Sequence, residues 1–244
     1  MNVVPVICAV ASLPVGWFAG ALLDCYPPDD DSGSDVITNV KVRPLRPLPG
    51  VRLTGAYLAL HLVMLIGFMA MGVRFEAAPS LVLVAYLVLT AMLVTVSAID
   101  IRCYRLPDRI VLPSLGVSFG LVVIESLRSG APDRIEFAAT GALIYFGFLL
   151  VVHLISPNGM GFGDVKLAAV MGLFAGWLAT GYPGVVVLVL WCMIVGFVAG
   201  LAIGLVLFVQ RRKSRHIPFG PFLSLGCISV VLWASRLTTV PLAI

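Results

Sequence analysis

Eight long apolar runs dominate this chain, and they leave it few possible folds. They lie near residues 3–23, 55–73, 80–99, 110–127, 137–155, 165–180, 183–209 and 218–236. A helix needs about 20 mostly apolar residues to cross a bilayer, and inside hydrocarbon only helices and closed barrels satisfy every backbone polar group. Runs of this length therefore predict an all-α fold, a polytopic integral membrane bundle of about eight transmembrane helices. Composition agrees. Of 244 residues, 60% are hydrophobic and 11% charged, with a mean hydropathy of +1.08; soluble domains carry about 25% charged residues. The first run has no Lys or Arg before it, since the first is Lys41, so it reads as a span and not as a secretory signal. Runs six and seven are parted only by the turn Gly181-Tyr182-Pro183-Gly184.

The charges sort by side. One set of alternate loops holds Lys41, Arg43, Arg46, Arg52, Arg102, Arg105, Arg109, Lys166 and the cluster Arg211–Arg215, twelve basic residues against four (Arg74, Arg128, Arg134, Arg236) in the other set. Cytoplasmic loops carry the Lys/Arg excess. Both termini are thus expected outside, and an even number of spans permits it. Residues 24–54 form one long cytoplasmic loop, rich in Pro, Asp, Gly and Ser, too irregular for a packed core or a nucleic-acid module. The chain divides into residues 1–79, the N-terminal spans with that loop, and residues 80–244, the remaining bundle. Gly172 and Gly176, like Gly196, Gly200 and Gly204, are spaced by four and read as close helix-packing positions. Five cysteines (Cys8, Cys25, Cys103, Cys192, Cys227) show no C-x-x-C spacing and read as small packing residues.

Against this background carboxylates stand out. An Asp at a helix centre costs roughly 2.5–3.5 kcal/mol, so intramembrane acids tend to line wet cavities and to do chemistry. Asp164 follows Gly161-Phe162-Gly163, glycines expected to let the backbone turn sharply, and precedes the apolar Val165-Lys166-Leu167-Ala168-Ala169-Val170. It could be no more than a helix cap, favoured there by the dipole. Asp100 closes the run Val94–Ile99 and precedes a break at Pro107. It could equally be an interfacial ion pair with Arg102. Asp108 competes as a third acid but sits beside Arg109 in a polar turn, which predicts a solvated side chain. The inferred topology puts Asp100 and Asp164 at the same, cytoplasmic, ends of their helices.

Three motifs then resemble one family. Gly161-Phe162-Gly163-Asp164-Val165-Lys166-Leu167 resembles the GxGD motif of prepilin peptidases; Asp100 with Pro107-Asp108 resembles that family's other aspartate site; Ile217-Pro218-Phe219-Gly220-Pro221-Phe222-Leu223 resembles its C-terminal motif. The resemblance covers about residues 80–236. It implies a membrane aspartic endopeptidase of the bacterial cytoplasmic membrane that removes the leader from type IV pilin-like or pseudopilin precursors. Asp100 and Asp164 would be the catalytic pair, supported by Gly161, Gly163, Lys166, Pro107, Pro218 and Gly220, with no metal and no cofactor for peptide cleavage. The family also methylates the new N-terminus from S-adenosylmethionine and carries two C-x-x-C pairs in its first loop. Residues 24–54 hold only Cys25, so a zinc site is not expected there, and methyl transfer is left unassigned. Two other readings stay open: a presenilin-like protease cutting inside the membrane, and a secondary transporter using Asp100 and Asp164 as ion sites.

Overall fold

The computed structural model describes residues 3–26, 55–104, 106–157, 160–209 and 218–237. Most of the long loop at 24–54, together with Arg105 and the basic cluster Arg211–Arg215, lies outside them. The described chain is eight helices: α1 Val3–Cys25, α2 Gly55–Arg74, α3 Ser80–Cys103, α4 Asp108–Arg128, α5 Asp133–Ile155, α6 Phe162–Trp177, α7 Tyr182–Val209 and α8 Gly220–Leu237. Each matches one apolar run. Six of them, α1 to α5 and α7, are long and apolar enough to cross a membrane. The chain is a multi-pass helical membrane protein.

Two helices are shorter, and α6 is the informative one. It has 16 residues, and from Asp164 to Trp177 most of its side chains are buried. A helix apolar on all sides belongs in the middle of a bundle. Helix α6 packs along α5 and also touches α4, α7 and α8. Its contact with α5 is backbone against backbone. A methyl group at Gly172 would collide with the carbonyl oxygen of Gly141, and one at Gly176 would collide with that of Phe137. The four-residue glycine spacing does here what small residues do between membrane helices. In α7, Gly196 and Gly200 give a looser fit to Leu223 of α8 and to Phe219 just before it, and Gly226 of α8 lies against the backbone of Cys192.

Helix α6 begins at Phe162 and ends at Trp177, three residues earlier at each end than its apolar run suggested. The run marks hydrocarbon, whereas the helix start is fixed by Gly161, whose carbonyl accepts the Asp164 N–H at 3.1 Å. Helices α1 and α2 pack on each other and meet the rest along α3, through a second apolar cluster that includes Cys8, Leu23, Leu60, Met64, Phe68 and Ile99. At the end of the bundle away from the acids, Tyr86 stacks on Phe75 (4.3 Å) and Trp177 (5.7 Å), and Trp177 donates its indole N–H to Ser126 Oγ at 3.1 Å. These contacts lock α3, α4 and α6 together far from the site.

Candidate active site

Helix α3 ends where Tyr104 turns into the left-handed region (φ 50°) and returns its N–H to the Asp100 carbonyl at 2.8 Å. That conformation usually falls to glycine, so a tyrosine there marks a constrained stop. Asp100 therefore lies in the last turn of α3, only 3% exposed. Its Oδ2 accepts the Gly220 N–H at 2.8 Å. Gly220 opens α8, so its N–H is one of the donors that a helix start leaves unpaired, and the positive end of the α8 dipole faces the acid. A Cβ at Gly220 would stand 2.9 Å from that same Oδ2. Glycine is needed there for space.

Asp164 sits in the first turn of α6 and is 5% exposed. Its carboxylate lies beside Gly161 and within reach of the negative charge of Asp100. Its Oδ1 is buried with no hydrogen-bond partner among the described residues. The structure thus brings Asp100 and Asp164 into electrostatic reach of each other from two helices that run in opposite directions.

The glycines of the loop act differently from expectation. Gly161 has ordinary extended angles (φ −68°, ψ 144°), and Gly130 is the one glycine with positive φ among the described residues. Among the described residues of that loop there is no glycine-only turn. What Gly163 supplies is room, because a Cβ on it would come 2.7 Å from the Leu106 Cβ. Leu106 belongs to the turn between α3 and α4, so this contact draws the Asp100 helix end onto the Asp164 helix start. Pro107 caps α4 from the same turn, its carbonyl accepting the N–H groups of Ile110 (3.0 Å) and Val111 (3.2 Å). Pro218 directly precedes Phe219, whose carbonyl takes the N–H groups of Phe222 and Leu223 and so starts α8 at Gly220.

Four polar partnerships were not foreseen. Lys166 extends to Asp108 (Nζ to Oδ2, 2.6 Å) and lies over the Phe162 ring at 4.9 Å. Asp108 is half exposed, 54% for its side chain, so it is wetter than the other two acids yet paired. Arg102 does not pair with Asp100. Residues two apart leave a helix on different sides, and the guanidinium turns instead to Asp24 (4.0 Å) and the Leu23 carbonyl (3.5 Å) at the end of α1. Tyr57 of α2 donates to the same Asp24. One turn below the Asp100–Gly220 contact, Ser97 donates to Ser224 at 3.0 Å, a second tie between α3 and α8. Apolar runs carry no signal for any of these pairings.

Residues 87–209, from mid-α3 to the end of α7, match the sequence model of the type IV leader peptidase family. The chain belongs to that family. Among related proteins, a prepilin leader peptidase/N-methyltransferase of Aeromonas hydrophila is 32% identical over 179 residues, 72% of this chain and 58% of that protein. Proteins of the same name from Burkholderia pseudomallei (35% identical, covering 66% and 50%) and Escherichia coli K12 (33% identical, covering 54% and 55%) are also similar. The chain thus spans roughly half the length of these curated relatives. No solved structure matches. The matched segment of this leader peptidase family member holds both acids and stops short of α8, the helix that holds Asp100 by its first N–H.

Proposed function

We propose that this chain is an aspartic endopeptidase of the bacterial cytoplasmic membrane that removes the leader from type IV prepilin-like precursors. One observation carries the reading: two buried carboxylates close enough for the charge of one to act on the other, Asp100 held by a helix-start N–H and Asp164 with one oxygen unpartnered among the described residues. Two such acids cannot easily both ionise, so they share one proton. The ionised carboxylate takes a proton from water, and the oxygen left behind attacks the scissile carbonyl carbon. The protonated carboxyl gives its proton to the carbonyl oxygen. As the tetrahedral intermediate collapses, the C–N bond breaks, the leaving nitrogen takes the proton held by the first acid, and the second carboxylate takes a proton from a hydroxyl of the intermediate, which restores the pair. Lys166 and Asp108 stand beside this exchange and join α6 to the α3–α4 turn.

The position of the acids supports this reading over cleavage within a span. Asp100 lies in the last turn of α3 and Asp164 in the first turn of α6. Both acids are therefore at one end of the bundle, the level at which a leader emerges. The same chain could also methylate the new N-terminus from S-adenosylmethionine, as the names of its relatives state for those proteins; the cleavage chemistry stands without it.

The test is co-expression with a pilin-like precursor in a host lacking its own enzyme. The wild-type chain should convert the precursor to a faster-migrating product, and the mass of the new N-terminus reads out methylation as well. Asp100→Asn and Asp164→Asn should each cut conversion by at least about 10³-fold while the protein stays in the membrane, because each removes half of one acid–base device. Full activity in either variant would remove that residue from the dyad. Proton-coupled uptake lost in both variants, with no cleavage by the wild type, would make the chain a transporter.

A further inference from the structure

Between α2, α3 and α8 a groove of about 730 Å³ opens on the outer surface of the bundle. Its walls include Ala59 and Val63 of α2, Leu93 and Ser97 of α3, and Ser229 and Trp233 of α8. Val63 and Trp233 are exposed, so the groove faces the bilayer and not the interior. One end has a different neighbour. There the lining is Ile101, which follows Asp100, and Pro221, which follows the Gly220 whose N–H holds Asp100. That end of the groove thus lies at the level of Asp100 along α3, although neither acid lines it.

Its chemistry selects an occupant. Small residues line all three helices, namely Ala56, Ala59, Ser97, Ala98, Ser224 and Ser229. Small side chains let a helix backbone approach closely, whereas a lipid tail gains nothing from them. The hydroxyls are already satisfied: Ser97 donates to Ser224 at 3.0 Å, and Ser229 donates to the Gly226 carbonyl at 2.7 Å. Apart from Arg102, whose guanidinium turns to Asp24, the wall therefore presents little but hydrocarbon. From Pro221 to Trp233 it extends about 18 Å along α8 at 1.5 Å per residue, more than half of a hydrocarbon core about 30 Å thick.

We propose that this groove seats the apolar transmembrane helix of the precursor, so that the point where that helix leaves the membrane lies over Asp100 and Asp164. The proposal rests on the peptidase reading and locates its substrate. Specificity then resides in the membrane as well as at the scissile bond, through α2 and α8 as much as through the helices that carry the acids.

The experiment uses the full chain with Asp164→Asn, which holds substrate uncleaved, and a synthetic precursor with a basic leader and an apolar Ala/Leu helix of about 20 residues. A photo-reactive residue is placed at Ala59 or Ser229 in the groove, or at Leu201 or Leu154, which are exposed on α7 and α5. Adducts to the apolar helix from the two groove positions, at least about ten-fold over the control positions, are expected from a seated helix. Adducts to phospholipid alone, or equal capture at all four positions, overturn the groove. As a second measurement, Ala59→Phe and Ser229→Phe should raise KM for the synthetic precursor about ten-fold by filling the space; an unchanged KM overturns the groove too. The wild-type chain is assayed in parallel. If it cleaves the precursor while the groove positions stay silent, only the groove has failed. If it cleaves nothing, the peptidase reading has failed first.

Discussion

At position 220 a side chain has almost nowhere to go. An alanine Cβ would meet the Asp100 carboxylate at 2.9 Å and its Cβ and Cγ at 3.4 Å, so the acid must move while its N–H donor stays. Displacing a working group by about 1 Å costs on the order of 10²-fold in rate. Gly220→Ala should accordingly lower kcat for leader removal about a hundred-fold with little change in the amount of protein in the membrane. A wild-type rate would show that Asp100 does no work. The ion pair between Lys166 and Asp108 predicts a gentler response. With Asp108 half exposed, solvent screening limits the coupling to about 1 kcal/mol or less. Lys166→Met and Asp108→Asn should each lower activity less than about ten-fold, and the double variant should lose less than the product of the two, because the pair is broken only once. If Asp108→Asn alone abolished cleavage, Asp108 would be the working acid and Asp100 its neighbour.

Helix contacts set a harder limit. Gly172 and Gly176 meet α5 without any side chain between the backbones, so Gly176→Val must push α6 away from α5 or leave the helices unpaired. A loss on the order of 3 kcal/mol is expected, seen as a lower midpoint of thermal unfolding in detergent and less protein in the membrane. Such spacing was readable in the chain, as was every helix, because a run of apolar side chains and a four-residue glycine repeat are local patterns. The helix ends were less so. Asp164 falls inside the first turn of α6 because Gly161 starts the helix earlier than hydrophobicity does. Least legible were Gly220 against Asp100, Ser97 against Ser224 and Leu106 against Gly163. Each joins residues far apart in the chain, and no local spacing records which helix ends will meet. The reach of Lys166 to Asp108 was hidden by the same fact.

For the whole molecule, orientation is the property on which the proposed reaction depends. The basic loops and both acids share one end of the bundle in the inferred topology. A reporter fused at Ser34 should therefore behave as cytoplasmic, and one fused after the last residue as external; the reverse would place the acids away from an emerging leader. The brevity of α6 adds something about water. At 16 residues the helix is about 24 Å long, less than the roughly 30 Å of hydrocarbon it stands in, and other helices surround it. Under the proposed reaction, the water that Asp164 activates would then arrive from the end of the bundle where α6 starts, past protein and not across lipid.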